Sequence, residues 1–438
     1  MRTLIHSVIL CKGANLTTKL SFINDAVIQI KDNLIVYAGK KIEAPEFEAD
    51  KVIDGKGYLA LPGLCNMHTH VSMDIMRSLG SDLSLEDWLN KAIFPVERQL
   101  TDDAVKAGTD LAMLELLRFG ITSINDMYMR TDVIAKSVDE TGMRAMLSYG
   151  IVDFDESCND FPPGVEFAEK WHNGANGRIK VAMAPHSVST TTKPVLQQIQ
   201  KVTSELKLCV HAHISETQYD HNISKERYGK TPVQLFDSLG LLDGQATLAH
   251  CVWLEDEDIE ILARRGTVIV HNPISNLKLA SGMAPIHKML QAGCKVAIGT
   301  DGVASNNNLN LWEEMKLMPL LQKGLELDPT IVSPSQTWAA TTSAGTKALG
   351  FDNLGMLDSG YLADLILVDI YTPHMWPHRD LQDHLIYSTQ GSDVKLTMIN
   401  GKVLYNDGEY LTLDKKLVMN RAKKESEAFF ERAEKAKQ

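Results

Sequence analysis

From about residue 59 to residue 300, short apolar runs alternate with longer amphipathic segments, and this alternation limits the fold more than any other feature of the chain. Such a pattern belongs to parallel strands joined by crossover helices. Eight runs stand out: Leu59 to Asn66, Ile121 to Asp126, Ala145 to Val152, Ile179 to Ala184, Leu208 to His213, Ala246 to His250, Thr267 to His271 and Lys295 to Thr300. Eight strands spread over roughly 300 residues predict an α/β fold, a TIM-type (β/α)8 barrel with a few long loops after its strands.

The flanks have a different texture. Val8-Ile9-Leu10, Ala26 to Ile30 and Leu34 to Tyr37 are short strands separated by polar and glycine turns, and Ala363 to Asp369 and Val394 to Leu404 repeat that pattern near the other end. Both ends are expected to build one small β-sandwich domain. The expected division is residues 1–58 for its first part, 59–358 for the catalytic barrel, 359–413 for its second part and 414–438 for a C-terminal helix. Leu417, Val418, Ala422, Phe429 and Phe430 give that helix only partial apolar spacing, so a solvated helix is expected.

With 438 residues, 44% of them hydrophobic and 23% charged, the chain can bury a large core. No stretch approaches the roughly 18 apolar residues of a membrane span. The apolar N-terminal run lacks a small-residue cleavage site, so a cytoplasmic enzyme is expected. A net charge of -12 argues against nucleic acid as a partner. Cys11, Cys65, Cys158, Cys209, Cys251 and Cys294 are scattered without a C-x-x-C pair, which points to small buried side chains rather than disulfides or a thiolate zinc site.

The residues with chemistry gather at strand ends. The first run closes on His68-Thr69-His70, and residues two apart on a strand face the same side. An H-x-H pair alone is equally well a packed pair of histidines. The fifth run, however, supplies His211-Ala212-His213-Ile214-Ser215-Glu216, the sixth ends at His250, and the eighth leads into Thr300-Asp301-Gly302. All fall at C-terminal strand ends, where barrels of this type place catalysis, and their convergence favours a metal centre over chance. His211 lies one layer deeper and is expected behind the ligands rather than among them. For His271, before Asn272-Pro273, ordering a loop is as good a reading as touching substrate.

Five segments carry a family resemblance: Pro62 to His70, His213 to Thr217, Leu248 to Cys251, His271 to Leu279 and Gly299 to Asn307. They resemble the amidohydrolase superfamily, in its branch of nucleoside and triazine deaminases and chlorohydrolases. The last two are most similar to the group that deaminates 5'-methylthioadenosine and S-adenosylhomocysteine. The resemblance implies one divalent metal per chain, Zn2+ first and Fe2+ or Mn2+ next, bound by His68, His70, His213 and Asp301. Binuclear relatives bridge two metals with a lysine at the end of the fourth strand. Here Arg178 to His186 has its only lysine near the start, so one metal is expected. The implied catalysis has Asp301 take a proton from the attacking water, Glu216 protonate the ring nitrogen beside the amino-bearing carbon, and His250 hydrogen-bond the attacking oxygen. A hydrogen-bonded core histidine is the competing reading of His250.

Substrate contacts are expected between Leu85 and Glu97. Trp88 either stacks on a base or packs in the helix core, and the resemblance implies that Glu97 accepts hydrogen bonds from vicinal ribose hydroxyls. It also implies substrate binding by His186. Tyr149 stands where deaminases that accept S-adenosylhomocysteine tend to carry arginine. A phenol in that place implies preference for 5'-methylthioadenosine, 5'-deoxyadenosine or adenosine, unless Arg130, Lys170 or a neighbouring subunit supplies a cation. The expected function is hydrolytic deamination of a small adenine nucleoside to its inosine analogue, with homo-oligomers implied by resemblance. One alternative is a hydrolase of another aminated heterocycle, guanine or a triazine, against which Glu97 argues because a flat base has no ribose diol. The other is a noncatalytic barrel assembly protein, which has no need to keep Glu216.

Overall fold

The computed structural model describes residues 1–154 and 160–436, so Cys158 lies outside the described residues; the other five cysteines are free and buried. An eight-stranded parallel sheet runs in chain order: Leu64–Thr69, Ile121–Tyr128, Arg144–Ile151, Ile179–Pro185, Cys209–Ile214, Ala246–His250, Val268–His271 and Lys295–Ile298. The last strand returns to the first. Asp301 N–H donates to His68 O at 2.9 Å, and Thr69 and Asp301 form an isolated parallel bridge. Asn66 reinforces this seam by donating to Thr300 Oγ1 at 2.8 Å while its Oδ1 accepts from Thr300 N–H at 3.0 Å. Gly299 is required there, since a Cβ would fall 2.7 Å from His68 N.

The apolar run Leu59 to Asn66 proves to be two strands. Tyr58–Pro62 belongs to a second sheet and Leu64–Thr69 opens the barrel. Gly63 stands between them with no room for a side chain: a Cβ would sit 2.2 Å from Thr122 Cγ2. Two strands with equal hydrophobicity and one glycine between them look like one strand in sequence.

The second sheet is mixed and has nine strands contributed by both chain ends. Tyr58–Pro62 pairs parallel with Arg2–Cys11 on one side and antiparallel with Leu365–Asp369 on the other. That strand therefore joins the two ends into one hydrogen-bonded unit, with a core of its own around Ile5, Ile28, Ala60, Leu365 and Met398. A buried bidentate pair locks it to the barrel: Arg144 Nε and Nη2 donate to Asp364 Oδ2 and Oδ1 at 2.8 and 3.0 Å.

The C-terminal helix, Lys415–Lys435, is docked rather than solvated all round. Asp414 caps it by accepting from Leu417 N–H at 3.0 Å. Val418, Ala422, Phe429 and Ala433 are buried, a spacing that keeps one face against the helix Asp102–Arg118. Among the described residues no helix is long and apolar enough to cross a membrane.

Candidate active site

Strand alternation explains which side chains enter the barrel. In the fifth strand Val210, Ala212 and Ile214 sit in the large core shared with the helices, so Cys209, His211 and His213 point inward. Alternation alone groups His250 with Ala246 and Leu248 on the helix-facing side. A left-handed backbone at His250 (φ +73°) and Cys251 (φ +49°) turns its ring into the cavity instead. Asp301 likewise has φ +63°. Non-glycine residues in this region cost about 1–3 kcal/mol, and such strain gathers at functional sites.

The hydrogen bonds assign the ring protons. His70 Nδ1–H donates to Met127 O, and His213 Nδ1–H donates to His186 O at 2.8 Å, because a carbonyl can only accept. Ser148 Oγ–H donates to Asp126 O at 2.9 Å, so Ser148 Oγ accepts from His211 Nδ1–H at 3.3 Å. His211 Nε2 is then an acceptor and takes the Nδ1–H of His68 at 2.9 Å. His211 thus stands behind His68, as its depth on the strand predicts. Each of the three upper imidazoles turns an Nε2 lone pair toward one point.

At that point His70 Nε2 and His213 Nε2 lie 3.4 Å apart, and in the neutral rings, each with its Nδ1–H on a carbonyl, both present lone pairs. His68 Nε2 is buried without a hydrogen-bond partner. Asp301 Oδ1 is 3.4 Å from His68 Nε2 and 3.1 Å from His70 Nε2. The ligand atoms of His68, His70 and Asp301, and those of His68, His213 and His250, lie within 4.8 Å of one another. Facing lone pairs beside a carboxylate fit a divalent cation of borderline softness. Burial works against ionising Asp301, but the His68 and His70 imidazoles beside it outweigh that and hold the carboxyl well below the usual range. Its Oδ2 accepts from Ser275 Oγ at 2.6 Å and Ser305 Oγ at 2.9 Å.

Glu216 Oε2 faces His250 Nε2 at 3.5 Å, and Ser281 Oγ donates to Oε1 at 3.2 Å. Burial pushes this carboxyl up to about 7, with His250 pulling down and the Asp301 and Asp220 charges pushing further up. Asn276 Oδ1 accepts from His250 Nδ1–H at 2.9 Å and fixes that ring. His70, His213, Glu216, His250 and Asp301 line a cavity of about 360 Å³.

The walls bring in the remaining candidates unevenly. Glu97 lines the cavity and accepts from Tyr128 O–H at 2.6 Å; burial raises its pKa and the Tyr128 bond opposes that. Trp88 packs in the core and also reaches the cavity wall. It is buried with Nε1–H donating to Leu79 O at 3.2 Å, and it lines the cavity from a wider π turn, Trp88–Ile93. His186 also lines the cavity, its Nδ1 2.9 Å from Thr190 Oγ1, and burial with the neighbouring imidazoles pushes it down to about 4. His271 is buried outside the cavity lining, with neither ring nitrogen hydrogen-bonded among the described residues.

Tyr149 requires a correction. In the third strand Ser148 reaches the interior while Ala145, Leu147 and Ile151 join the helix-facing core, so the odd positions point outward. Tyr149 packs with them and meets Asp160, and it is the adjacent Gly150 that lines the cavity. The sequence reading also missed Ser275, Asn276, Ser281 and Tyr128, whose partners lie at least 26 positions away in the chain, and Ser305, four positions from its partner Asp301. The runs His271 to Leu279 and Gly299 to Asn307, already prominent as motifs, could have pointed to Ser275, Asn276 and Ser305.

A parallel barrel that gathers imidazoles and one carboxylate at its C-terminal rim defines the class of metal-dependent barrel hydrolases. Residues 59–404 match the amidohydrolase family, and the chain belongs to that family. It is 44% identical over 379 residues to a 5-methylthioadenosine/S-adenosylhomocysteine deaminase of Dictyoglomus thermophilum, covering 86% of this chain and 88% of the relative. To a 5'-deoxyadenosine deaminase of Methanosarcina mazei it is 42% identical over 408 residues, with 92% and 94% covered. An adenosine deaminase from Xanthomonas campestris, solved with bound zinc, superimposes with a TM-score of 0.92 at 30% identity over 98% of both chains.

Proposed function

We propose that the protein is a metal-dependent hydrolase that deaminates adenine nucleosides, releasing ammonia and the inosine analogue. The carrying observation is one cavity that combines facing His70 and His213 lone pairs with the Glu216–His250 contact at 3.5 Å. His68, His70, His213 and Asp301 are the residues that would hold a divalent metal, with zinc favoured and iron or manganese next. When bound, such an ion lowers the pKa of water toward neutrality and makes it nucleophilic.

The chain's own groups do the rest. Asp301 takes a proton from the attacking water. Glu216, its carboxyl pushed up to about 7 by burial, delivers a proton to the ring nitrogen beside the amino-bearing carbon. His250, its Nδ1–H committed to Asn276, offers Nε2 as an acceptor to the attacking oxygen and orients it. Glu97, steadied by Tyr128, accepts from the vicinal ribose hydroxyls, with Trp88 and His186 on the surrounding wall. As the tetrahedral carbon collapses, Asp301 passes its proton to the amino nitrogen and Glu216 regains one from the hydroxyl, so the C–N bond breaks and ammonia leaves.

A single metal per chain is supported by the fourth strand. Its only lysine, Lys180, sits at the far end bonded to Asn173 and over the Phe351 ring, away from the rim. Metal analysis should give about one ion per chain; two at full occupancy would overturn the mononuclear reading. Ammonia release from a panel of adenine nucleosides, free bases and triazines tests the activity. Turnover confined to free bases or triazines would remove the nucleoside reading, because Glu97 then has no diol to bind.

A further inference from the structure

With Tyr149 outside the cavity, recognition of the substrate's 5' end needs another group. The two other cations considered from sequence are engaged elsewhere: Arg130 Nη1 lies 2.5 Å from Asp102 Oδ1, and Lys170 Nζ 2.5 Å from Asp132 Oδ1. Neither lines the cavity. Among the described residues that do, Arg227 is the only lysine or arginine.

Arg227 is carried by the helix Gln218–Tyr228, which starts at Thr217 directly after Glu216. Asp220 and Arg227 are separated by seven positions, close to two turns, so they share one face about 10 Å apart along the axis. Asp220 is buried and structural, its Oδ2 accepting from Ser215 N–H at 3.0 Å. Arg227 is exposed at the mouth. Its one hydrogen bond among the described residues runs from Nη1 to Ser189 O at 3.3 Å, which leaves most of the guanidinium's five donors open. The ledge beside it carries hydroxyls, with Ser187 Oγ 2.8 Å from Ser189 Oγ and 2.9 Å from Thr190 Oγ1.

We propose that Arg227 anchors the carboxylate of an amino-acid tail carried on the substrate's 5' carbon, and so decides how well such nucleosides compete with small 5'-substituted ones. This rests on the adenine-nucleoside reading of the same cavity. A planar guanidinium matches a carboxylate bidentately. The tail is zwitterionic rather than a phosphate, because Glu86 and Asp220 line the same cavity as Arg227. Their charges suit an ammonium group and repel a dianion.

The test compares kcat/KM for S-adenosylhomocysteine, 5'-methylthioadenosine and adenosine 5'-monophosphate in metal-loaded wild type, Arg227→Ala and Arg227→Lys. Charge-assisted bonds of the usual strength predict that Arg227→Ala loses about 10- to 100-fold on S-adenosylhomocysteine, mostly in KM. The same variant should stay within about twofold on 5'-methylthioadenosine, which also shows that it is folded. Arg227→Lys should recover part of the loss, since the charge returns without the fork. An equal loss on both nucleosides, no loss on either, or a monophosphate that depends on Arg227 as strongly as S-adenosylhomocysteine overturns the proposal. Wild-type turnover of 5'-methylthioadenosine without S-adenosylhomocysteine overturns it too, and leaves the deaminase reading standing. Turnover of neither nucleoside removes both.

Discussion

His213 and Arg227 belong to one strand–loop–helix segment, and the protein holds them in opposite ways. His213 is 7% exposed, and a backbone carbonyl just past the preceding strand, that of His186, dictates which ring nitrogen is free. Its neighbours at the floor are tied down similarly: Asp301 by Ser275 and Ser305, His250 by Asn276, His68 by His211. Arg227 stands on a helix whose only buried residues are Asp220 and Ser224, with one long bond to a loop carbonyl. The floor is therefore preorganised and the mouth adaptable. Chemistry that depends on where charge develops needs the first, whereas choosing among substrate tails tolerates the second.

Substitutions graded from floor to mouth test that contrast. The largest loss is expected for Glu216→Gln, which keeps the shape and removes the transferable proton. kcat should fall roughly 10²- to 10⁴-fold with metal content unchanged, and near-normal turnover would take Glu216 out of the proton transfer. The wild type should also show an alkaline limb. A donor that titrates at about 7 is protonated below that pH and competent there, so kcat/KM falls as pH rises through it. The residual activity of Glu216→Gln should lack this limb.

Ser275→Ala comes next. Removing a hydroxyl that holds Asp301 at 2.6 Å should lower metal affinity or activity about 10- to 100-fold. A change below twofold in both, by metal titration and steady-state rates, would mean that Ser305 alone orients the carboxylate. Glu97→Gln should raise KM about tenfold for ribonucleosides, and much less for 2'-deoxy analogues that offer only one hydroxyl. Equal effects on the two would separate Glu97 from ribose. The smallest change is expected at Phe154, which lines the mouth at 67% exposed; its alanine variant should shift KM by no more than about twofold. A larger shift would show that the mouth is more rigid than its bonding implies.

The parts legible in sequence are those governed by local periodicity. Burial on both faces of parallel strands leaves apolar runs, and period-two spacing puts His68 with His70 and His211 with His213 whatever surrounds them. The barrel strands and the gathering of His68, His70, His213, His250 and Asp301 at strand ends follow from spacing and position, whereas the choice of ligands and the role of Glu216 came from the family resemblance. Where local pattern carried no information, expectation and structure part. Tyr149 was placed by analogy, whereas its parity with Leu147 and Ile151 sends it outward. The run from Leu59 to Asn66 does not reveal that Gly63 hands the chain from one sheet to another.

What the chain by itself determined is the alternation that makes a barrel and the residue types stationed at its strand ends, because both depend on neighbours within a few positions. Only the tertiary structure decided which distant groups meet there. Closing the barrel at the His68–Asp301 seam brings the first and last strands together. A left-handed turn at His250 swings that ring from the helix side to the cavity. Ser275 reaches Asp301, Tyr128 reaches Glu97, and Arg227 reaches the mouth. Each of these contacts spans a separation over which a sequence has no period, and their geometry is set by packing the whole barrel at once.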